Sequence, residues 1–235
     1  MSSNPILGGF ADSPPAPVAS PRHLRNLLFI LAGISVAMLL QARPGAAVLN
    51  VAPSKVPLYA GLILVELVLS WFVIIGIRAR GCAIADVAGS PPRGVPAVVL
   101  DLAIATGAVL FLRWLGPELF RLLGTWKSNT GFLLPATSLE SVLWVAVSAT
   151  AGICEEFVFR GYLQRQLWSL TRSVPAALFL QSVIFGAAHI YQGWKPALVT
   201  MIYGLVFGAL FAWRRSIVPG AMAHVVVDVL GGFRI

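Results

Sequence analysis

Long apolar stretches separated by short polar connections run through the chain from residue 24 to its carboxy terminus. A helix needs about 20 apolar residues to cross a bilayer, and most of the stretches approach that length. Seven of them can be distinguished, at residues 24–40, 56–77, 95–115, 139–158, 175–190, 196–213 and 217–233. The pattern therefore predicts an all-α, polytopic integral membrane helical bundle with about seven to eight transmembrane helices.

The amino-acid composition supports this class. Hydrophobic residues make up 58% of the chain and charged residues 11%, with a mean hydropathy of +0.85. Water-soluble domains are far less apolar. The net charge is +8, but the 17 Lys and Arg residues are scattered singly between apolar runs, so we expect no nucleic-acid partner. The two cysteines, Cys82 and Cys154, are too few for a disulfide framework.

The region before the first apolar stretch has a different character. Residues 1–21 contain five prolines with Ser and Gly between them, which predicts a disordered cytoplasmic tail. The stretch at 24–40 could alternatively be a secretory signal. Because the preceding segment is long and no convincing small-residue cleavage site follows, we predict a retained first helix.

One sizeable loop, at 116–138, divides the apolar stretches into two groups. We expect accessory transmembrane helices over 22–138 and a catalytic core over 139–235, because the candidate chemistry lies after the loop. With a cytoplasmic amino terminus, ten of the 17 Lys and Arg residues fall on the inner side, among them the pair Arg214 and Arg215. This bias predicts a cytoplasmic amino terminus in a membrane of the bacterial inner-membrane type.

Ionisable residues interrupt the fourth apolar stretch. A charge at the bilayer centre costs on the order of 3 kcal/mol, so such residues usually have a function. Glu156 and Arg160 are four residues apart and are predicted to form an ion pair, whereas Glu155 points to another face of the helix. Glu155 is therefore free to act as a general base. A nucleophilic role for Cys154 is disfavoured, since neighbouring carboxylates oppose the thiolate.

Two histidines follow in later apolar stretches. His189 ends the fifth stretch, and His224 lies one helical turn before Asp228 in the last one. Two imidazoles and carboxylates suit a divalent metal such as zinc, with Glu155, His189, His224 and Asp228 as the candidate ligands. The same groups could also work without metal, with Glu155 and His189 activating water and His224 with Asp228 stabilising an oxyanion. The sequence does not separate these alternatives.

Three spaced motifs resemble the CAAX protease and bacteriocin-processing (Abi) family of intramembrane metalloproteases, including its Ras-converting type. They are Glu-Glu-x-x-x-Arg at Glu155, Glu156 and Arg160, Phe-x-x-x-His at Phe185 and His189, and His-x-x-x-Asp at His224 and Asp228. The resemblance covers about residues 139–232. It implies that Glu155 and His189 activate water, that His224 and Asp228 assist through a metal or an oxyanion, and that the substrate is a peptide or a lipidated protein at the membrane. Glu156, Arg160 and Phe185 would be supporting residues.

Helix lengths constrain the depth of this site. Glu155 and His189 are level in the membrane only if the fourth helix continues to about residue 170, so one long helix over 139–170 is predicted. His224 remains low in a helix that begins near Ile217, which favours a site that opens toward the cytoplasm. Two other intramembrane carboxylates, Glu66 and Asp101, are predicted to have structural partners on other helices.

Two other classes of function are consistent with an apolar bundle of this kind. A non-catalytic member of the same fold could bind a partner, as in bacteriocin self-immunity, and keep the motifs for packing. A proton-coupled transporter is disfavoured, because the chain shows neither an inverted repeat nor paired broken helices.

Overall fold

The computed structural model describes residues 14–42, 54–124 and 129–233, and all the regular secondary structure in these ranges is helical. The prediction of an all-α bundle is therefore confirmed. In chain order the helices are α1 (Pro21–Gln41), α2 (Val56–Arg78), α3 (Ile84–Ala88), α4 (Gly94–Leu123), α5 (Ser138–Glu155), a π-helical segment (Glu156–Gln164), α6 (Arg165–Thr171), α7 (Val174–Ala188), a 3-10 turn (Ile190–Gln192), α8 (Trp194–Arg214) and α9 (Val218–Phe233).

Five helices in the described residues are long and apolar enough to cross a membrane. One of them is the continuous helix Ser138–Thr171, formed by α5, the π segment and α6. This confirms the predicted long helix over 139–170. The other two apolar helices, α7 and α9, have 15 and 16 residues. They are too short to cross a bilayer of about 30 Å without their flanking residues.

Local sequence signals account for several helix ends. Ser20, Thr137 and Ser173 cap the first turns of α1, α5 and α7, each accepting a hydrogen bond from a main-chain N–H three residues on. Pro residues occupy the first turns of α1, α2 and α7. In this position the missing N–H of proline removes no hydrogen bond of the helix. The long helix ends at Arg172, which adopts a left-handed conformation with φ of 56°.

The residues just before α1 are packed against the bundle. Val18 and Ala19 are buried. The fully buried amide of Gln166 donates to the Ala19 carbonyl and accepts from the Ala19 N–H, both at 3.0 Å. The predicted disordered tail over 1–21 lies outside the described residues up to residue 13, but its last part is ordered by this contact.

Two glycines let α8 approach α7 and the π segment closely. A Cβ at Gly208 would lie 2.6 Å from the side-chain nitrogen of Gln181 and 2.8 Å from the amide oxygen of Gln164. The two glutamines donate to main-chain carbonyls of α8, Gln181 to Gly204 and Gln164 to Gly208, both at 3.0 Å. These small residues allow close helix packing and also expose carbonyl groups to buried donors.

Asp101 has the structural partner that was predicted for it. Its buried carboxylate accepts a hydrogen bond at 2.7 Å from Arg214 at the end of α8. This ion pair joins the first part of α4 to the end of the bundle where α1 begins. We call that end the Pro21 end, and the other end, which carries the loop residue Thr130, the Thr130 end.

Candidate active site

A cavity of about 570 Å³ lies between seven of the helices and contains all four predicted catalytic residues. Its wall is mostly apolar, with side chains from α1, α2, α4, α5, α7, α8 and α9. Glu155, His189, His224 and Asp228 line it together. These residues come from three separate parts of the chain, so the packing of α5, α7 and α9 brings them to one place.

Glu155 is the central group among these four. It ends α5, about 25 Å along the helix from Ser138, and it precedes the π segment. Its Oε1 lies 3.9 Å from Nε2 of His189, and its Oε2 lies 3.7 Å from Nε2 of His224. The Oδ2 atom of Asp228 lies 3.6 Å from the same His224 nitrogen. These separations exceed hydrogen-bond length, which is common in catalytic sites without substrate.

The other nitrogen of each histidine ring is held by a hydrogen bond. His189 is the C-cap residue directly after α7, and its Nδ1 lies 2.8 Å from the Phe185 carbonyl oxygen. The Nδ1 of His224 lies 3.1 Å from Oε1 of Glu156. Because both of these oxygens accept hydrogen bonds, Nδ1 is the protonated nitrogen in each neutral ring. The two Nε2 atoms are the ring nitrogens that face Glu155, at 3.9 and 3.7 Å.

Glu156 has two partners, one predicted and one not. Its Oε1 lies 2.9 Å from Nη1 of Arg160, and both side chains are 0% exposed. The predicted ion pair is thus confirmed. The bond from His224 to the same carboxylate was not foreseen, and it makes Glu156 an anchor for a predicted catalytic histidine. Glu156 was predicted only as the partner of Arg160, so this second contact extends its supporting role.

Aromatic rings fill the space around this buried pair. The Arg160 guanidinium lies over the Phe185 ring at 4.1 Å and over Phe207 at 5.4 Å. Phe185 also contacts the rings of His189 and His224, with centroids 4.7 and 6.0 Å apart. Phe207 stacks on His224 at 5.1 Å. A cation over an aromatic face is attracted by the ring quadrupole, so Phe185 and Phe207 fix both the cation and the imidazoles.

Sequence reasoning missed two polar residues of the cavity. Glu66 of α2 was predicted to have a structural partner. It instead lines the cavity, where its electrostatic neighbours are Glu155, His224 and Asp228. Tyr191 of the 3-10 turn also lines it and interacts with the same carboxylates. The sequence feature that could have identified Tyr191 as a site residue was its position two residues after His189.

Loop residues Thr130, Leu133 and Leu134 line the cavity, which therefore extends from Glu155 to the Thr130 end. Toward the Pro21 end the site borders on the π segment, in which all nine residues are buried. Pro219 and Gly220 are buried as well, so the start of α9 is sunk in the bundle. The opening toward the cytoplasm stays a prediction, because the side of the membrane that the Thr130 end faces is not shown.

The four candidate metal ligands have suitable chemistry but are not arranged as a complete metal site. Histidines that bind metals usually donate their second ring N–H to a carbonyl or carboxylate, as His189 and His224 do. However, no group of three or more His, Cys, Asp or Glu side chains in the described parts of the chain is placed to hold an ion. The zinc site therefore stays a prediction.

In the comparison with known proteins, a family model described as type II CAAX prenyl endopeptidase Rce1-like matches residues 137–230. This range contains the four predicted catalytic residues and the supporting residues Glu156, Arg160 and Phe185. No curated protein and no solved structure matches the chain.

Proposed function

We propose that this integral membrane protein is an intramembrane endopeptidase for a membrane-associated substrate of the prenylated CAAX type. The match of residues 137–230 to the Rce1-like model of type II CAAX prenyl endopeptidases supports such an activity in general terms. The observation that carries the specific proposal is the Glu155 carboxylate, which is flanked by the Nε2 atoms of His189 and His224 in an apolar cavity.

Glu155 and His189 form a pair of acceptors for one water molecule. In the proposed mechanism, water donates one O–H to Oε1 of Glu155 and the other to Nε2 of His189. Its oxygen lone pair is then free to attack the carbonyl carbon of the peptide bond. Glu155 takes the water proton as the new C–O bond forms. It then delivers this proton to the leaving nitrogen as the C–N bond breaks, which yields a carboxylic acid and an amine.

His224 and Asp228 support this chemistry in the proposal. The Nε2 atom of His224 faces both Oε2 of Glu155 and Oδ2 of Asp228, and its ring is fixed by Glu156 and Phe207. A charged and fixed His224 ring attracts the second oxygen of Glu155 and keeps it oriented while Oε1 exchanges protons. Positioning of this kind is worth a large part of an enzymatic rate enhancement.

The apolar wall of the cavity supports a lipid-bearing substrate. Side chains of α1 and α2, including Leu31, Met38 and Leu62, line the cavity beyond the polar residues. Burying an alkyl chain contributes about 0.8 kcal/mol per CH₂ group. A peptide that carries a prenyl group could therefore place its lipid against this wall and its peptide bond at Glu155.

The substrate proposal can be tested with purified full-length protein in detergent or liposomes. We expect a farnesylated CAAX peptide to be cut at least tenfold faster, by kcat/KM, than the same peptide without the lipid, because the lipid supplies binding energy. Mass spectrometry identifies the new carboxy terminus. Equal cleavage of both peptides would contradict a prenylated substrate, and cleavage of neither would contradict the CAAX assignment.

The zinc prediction is tested separately by chelation. A zinc ion bound by Glu155, His189, His224 and Asp228 would supply Lewis-acid polarisation to the site. Under this proposal, 1,10-phenanthroline abolishes cleavage, added zinc restores it, and elemental analysis finds about one zinc per chain. Activity that persists in metal-depleted protein would refute the zinc site and leave Glu155 with His189 as the water-activating pair.

A further inference from the structure

The proposed hydrolysis places negative charge on the carbonyl oxygen of the substrate, and such an oxyanion needs a hydrogen-bond donor. When His224 is charged, its Nε2–H faces Glu155 and Asp228 at 3.7 and 3.6 Å, beyond hydrogen-bond length, so it could serve as one such donor. Arg160 is fully buried and packs against Phe185 and Phe207. Sites of this kind commonly combine more than one donor, so a second donor is expected in the cavity wall.

Several other donors that line the cavity are already used within the protein. The Tyr203 hydroxyl donates to the Leu112 carbonyl at 3.4 Å, and the Trp144 indole donates to the Asp228 carbonyl at 3.1 Å. Ser35 donates to the Leu31 carbonyl at 2.7 Å. These bonds commit each proton to a main-chain oxygen, so none of the three is available to substrate without breaking a contact.

Tyr191 differs because its hydroxyl accepts a hydrogen bond. The side-chain nitrogen of Gln192 donates to it at 3.4 Å, which leaves the phenolic proton free to donate. An ordinary tyrosine is protonated at neutral pH, so the phenol has a proton to donate.

The turn that carries Tyr191 is held firmly beside the catalytic groups. Gln192 N donates to the His189 carbonyl at 3.0 Å, and Asn129 N donates to the Gln192 carbonyl at 3.1 Å. The Tyr191 ring lies 6.1 Å from the His189 ring, with an angle of 30° between their planes. A donor on such a turn is oriented before substrate arrives, which is the condition for effective oxyanion stabilisation.

We propose that Tyr191 is a further catalytic residue, whose hydroxyl donates a hydrogen bond to the carbonyl oxygen of the peptide bond as water adds to its carbon. Tyr191 keeps its proton throughout, and Gln192 orients the hydroxyl. The inference rests on the proposed peptidase function. It adds to that function a donor that interacts with developing negative charge more strongly than with the bound substrate.

The decisive variant is Tyr191→Phe, which removes the hydroxyl but keeps the ring beside His189. We expect kcat for the farnesylated CAAX peptide to fall about 10²-fold to 10³-fold with KM changed less than about threefold, as for loss of one oxyanion donor. Tyr203→Phe is the matched control, because it removes a hydroxyl of the same cavity that is already bonded to Leu112. It should keep kcat within about threefold of the wild type, since that hydroxyl makes no transition-state contact.

A second readout separates a catalytic role from a structural one. A peptide aldehyde of the same sequence, whose hydrate resembles the tetrahedral intermediate, should bind the Tyr191→Phe variant at least tenfold more weakly than wild type. The unreactive substrate analogue with a reduced peptide bond should bind both equally. Wild-type kcat in Tyr191→Phe, or a rise in KM at unchanged kcat, would overturn the inference. If Glu155→Gln is inactive in the same assay, that result leaves the proposed peptidase function intact; if Glu155→Gln is active, the function itself fails.

Discussion

Glu155→Gln is expected to reduce kcat/KM for cleavage of the farnesylated CAAX peptide by about 10³-fold or more, because glutamine cannot take the proton of the attacking water. His189→Ala should cause a loss of similar size, since it removes the second acceptor for that water. The rates are measured with purified protein by mass spectrometry of the products. Glutamine has nearly the same size as glutamate, so the Glu155→Gln variant and the wild type should be expressed at equal levels.

Glu118→Gln is the matched control for the removal of a carboxylate. Glu118 lies on α4 in an exposed ion pair with Arg121, away from the cavity wall, and its replacement should leave the rate unchanged. Full activity in Glu155→Gln would refute the proposed mechanism. Such a result would favour the non-catalytic alternative, in which the motifs serve packing or the binding of a partner.

Arg160→Met should lower the melting temperature of the protein by roughly 10 °C. Removal of one member of a buried ion pair typically costs about 3–5 kcal/mol, because it leaves an uncompensated charge, and each kcal/mol shifts the melting temperature of a chain of this size by about 2–4 °C. The Glu156 carboxylate would be left fully buried with only His224 as its partner. Thermal unfolding in detergent, followed by tryptophan fluorescence, measures the change.

The double variant Glu156→Gln with Arg160→Met separates stability from activity. It removes both buried charges, so about half or more of the lost stability should return. Activity should stay low, because the glutamine amide can still accept from Nδ1 of His224 but no longer stabilises a positive charge on that ring. An unchanged melting temperature in Arg160→Met, or recovery of activity in the double variant, would contradict the role given to this pair.

The sequence was sufficient to predict contacts within single helices. Glu156 and Arg160 are four residues apart and form the expected ion pair. His224 and Asp228, also four apart, face each other at 3.6 Å. The long helix was predicted because Glu155 and His189 must lie at the same depth in the membrane. The structure contains this helix at Ser138–Thr171. Helical spacing and a rise of 1.5 Å per residue are enough for arguments of this kind.

Contacts between helices were harder to predict. Glu66 has no candidate partner at helical spacing on α2, so only the packing of α2 against the catalytic helices shows that it lines the cavity. Phe207 looked like an ordinary apolar residue of α8, although its ring stacks on His224. A ring is recognised as part of a site by the residue that it contacts on another helix. A single sequence does not show that contact.

The π-helical segment could not be predicted from periodicity either. Its nine residues include Glu156, Arg160 and Gln164, and all of them are buried. A helical segment with several polar residues is usually predicted to expose them on one face, because a surface helix has one side in solvent. Here α2, α3, α7 and α8 all pack against the segment, so its polar groups are enclosed on every side.

The direction in which the cavity extends has a consequence for the order of events in the cell. The cavity reaches the Thr130 end of the bundle, whereas Arg78, Arg172, Arg214 and Arg215 lie at or near the Pro21 end. If those basic residues face the cytoplasm, a substrate that enters at the Thr130 end comes from the outer side of the membrane. If a prenylated substrate instead enters that end from the cytoplasm, the chain is inserted against its charge bias. A cytoplasmic amino terminus and entry of substrate from the cytoplasm at the Thr130 end therefore cannot both hold in this fold.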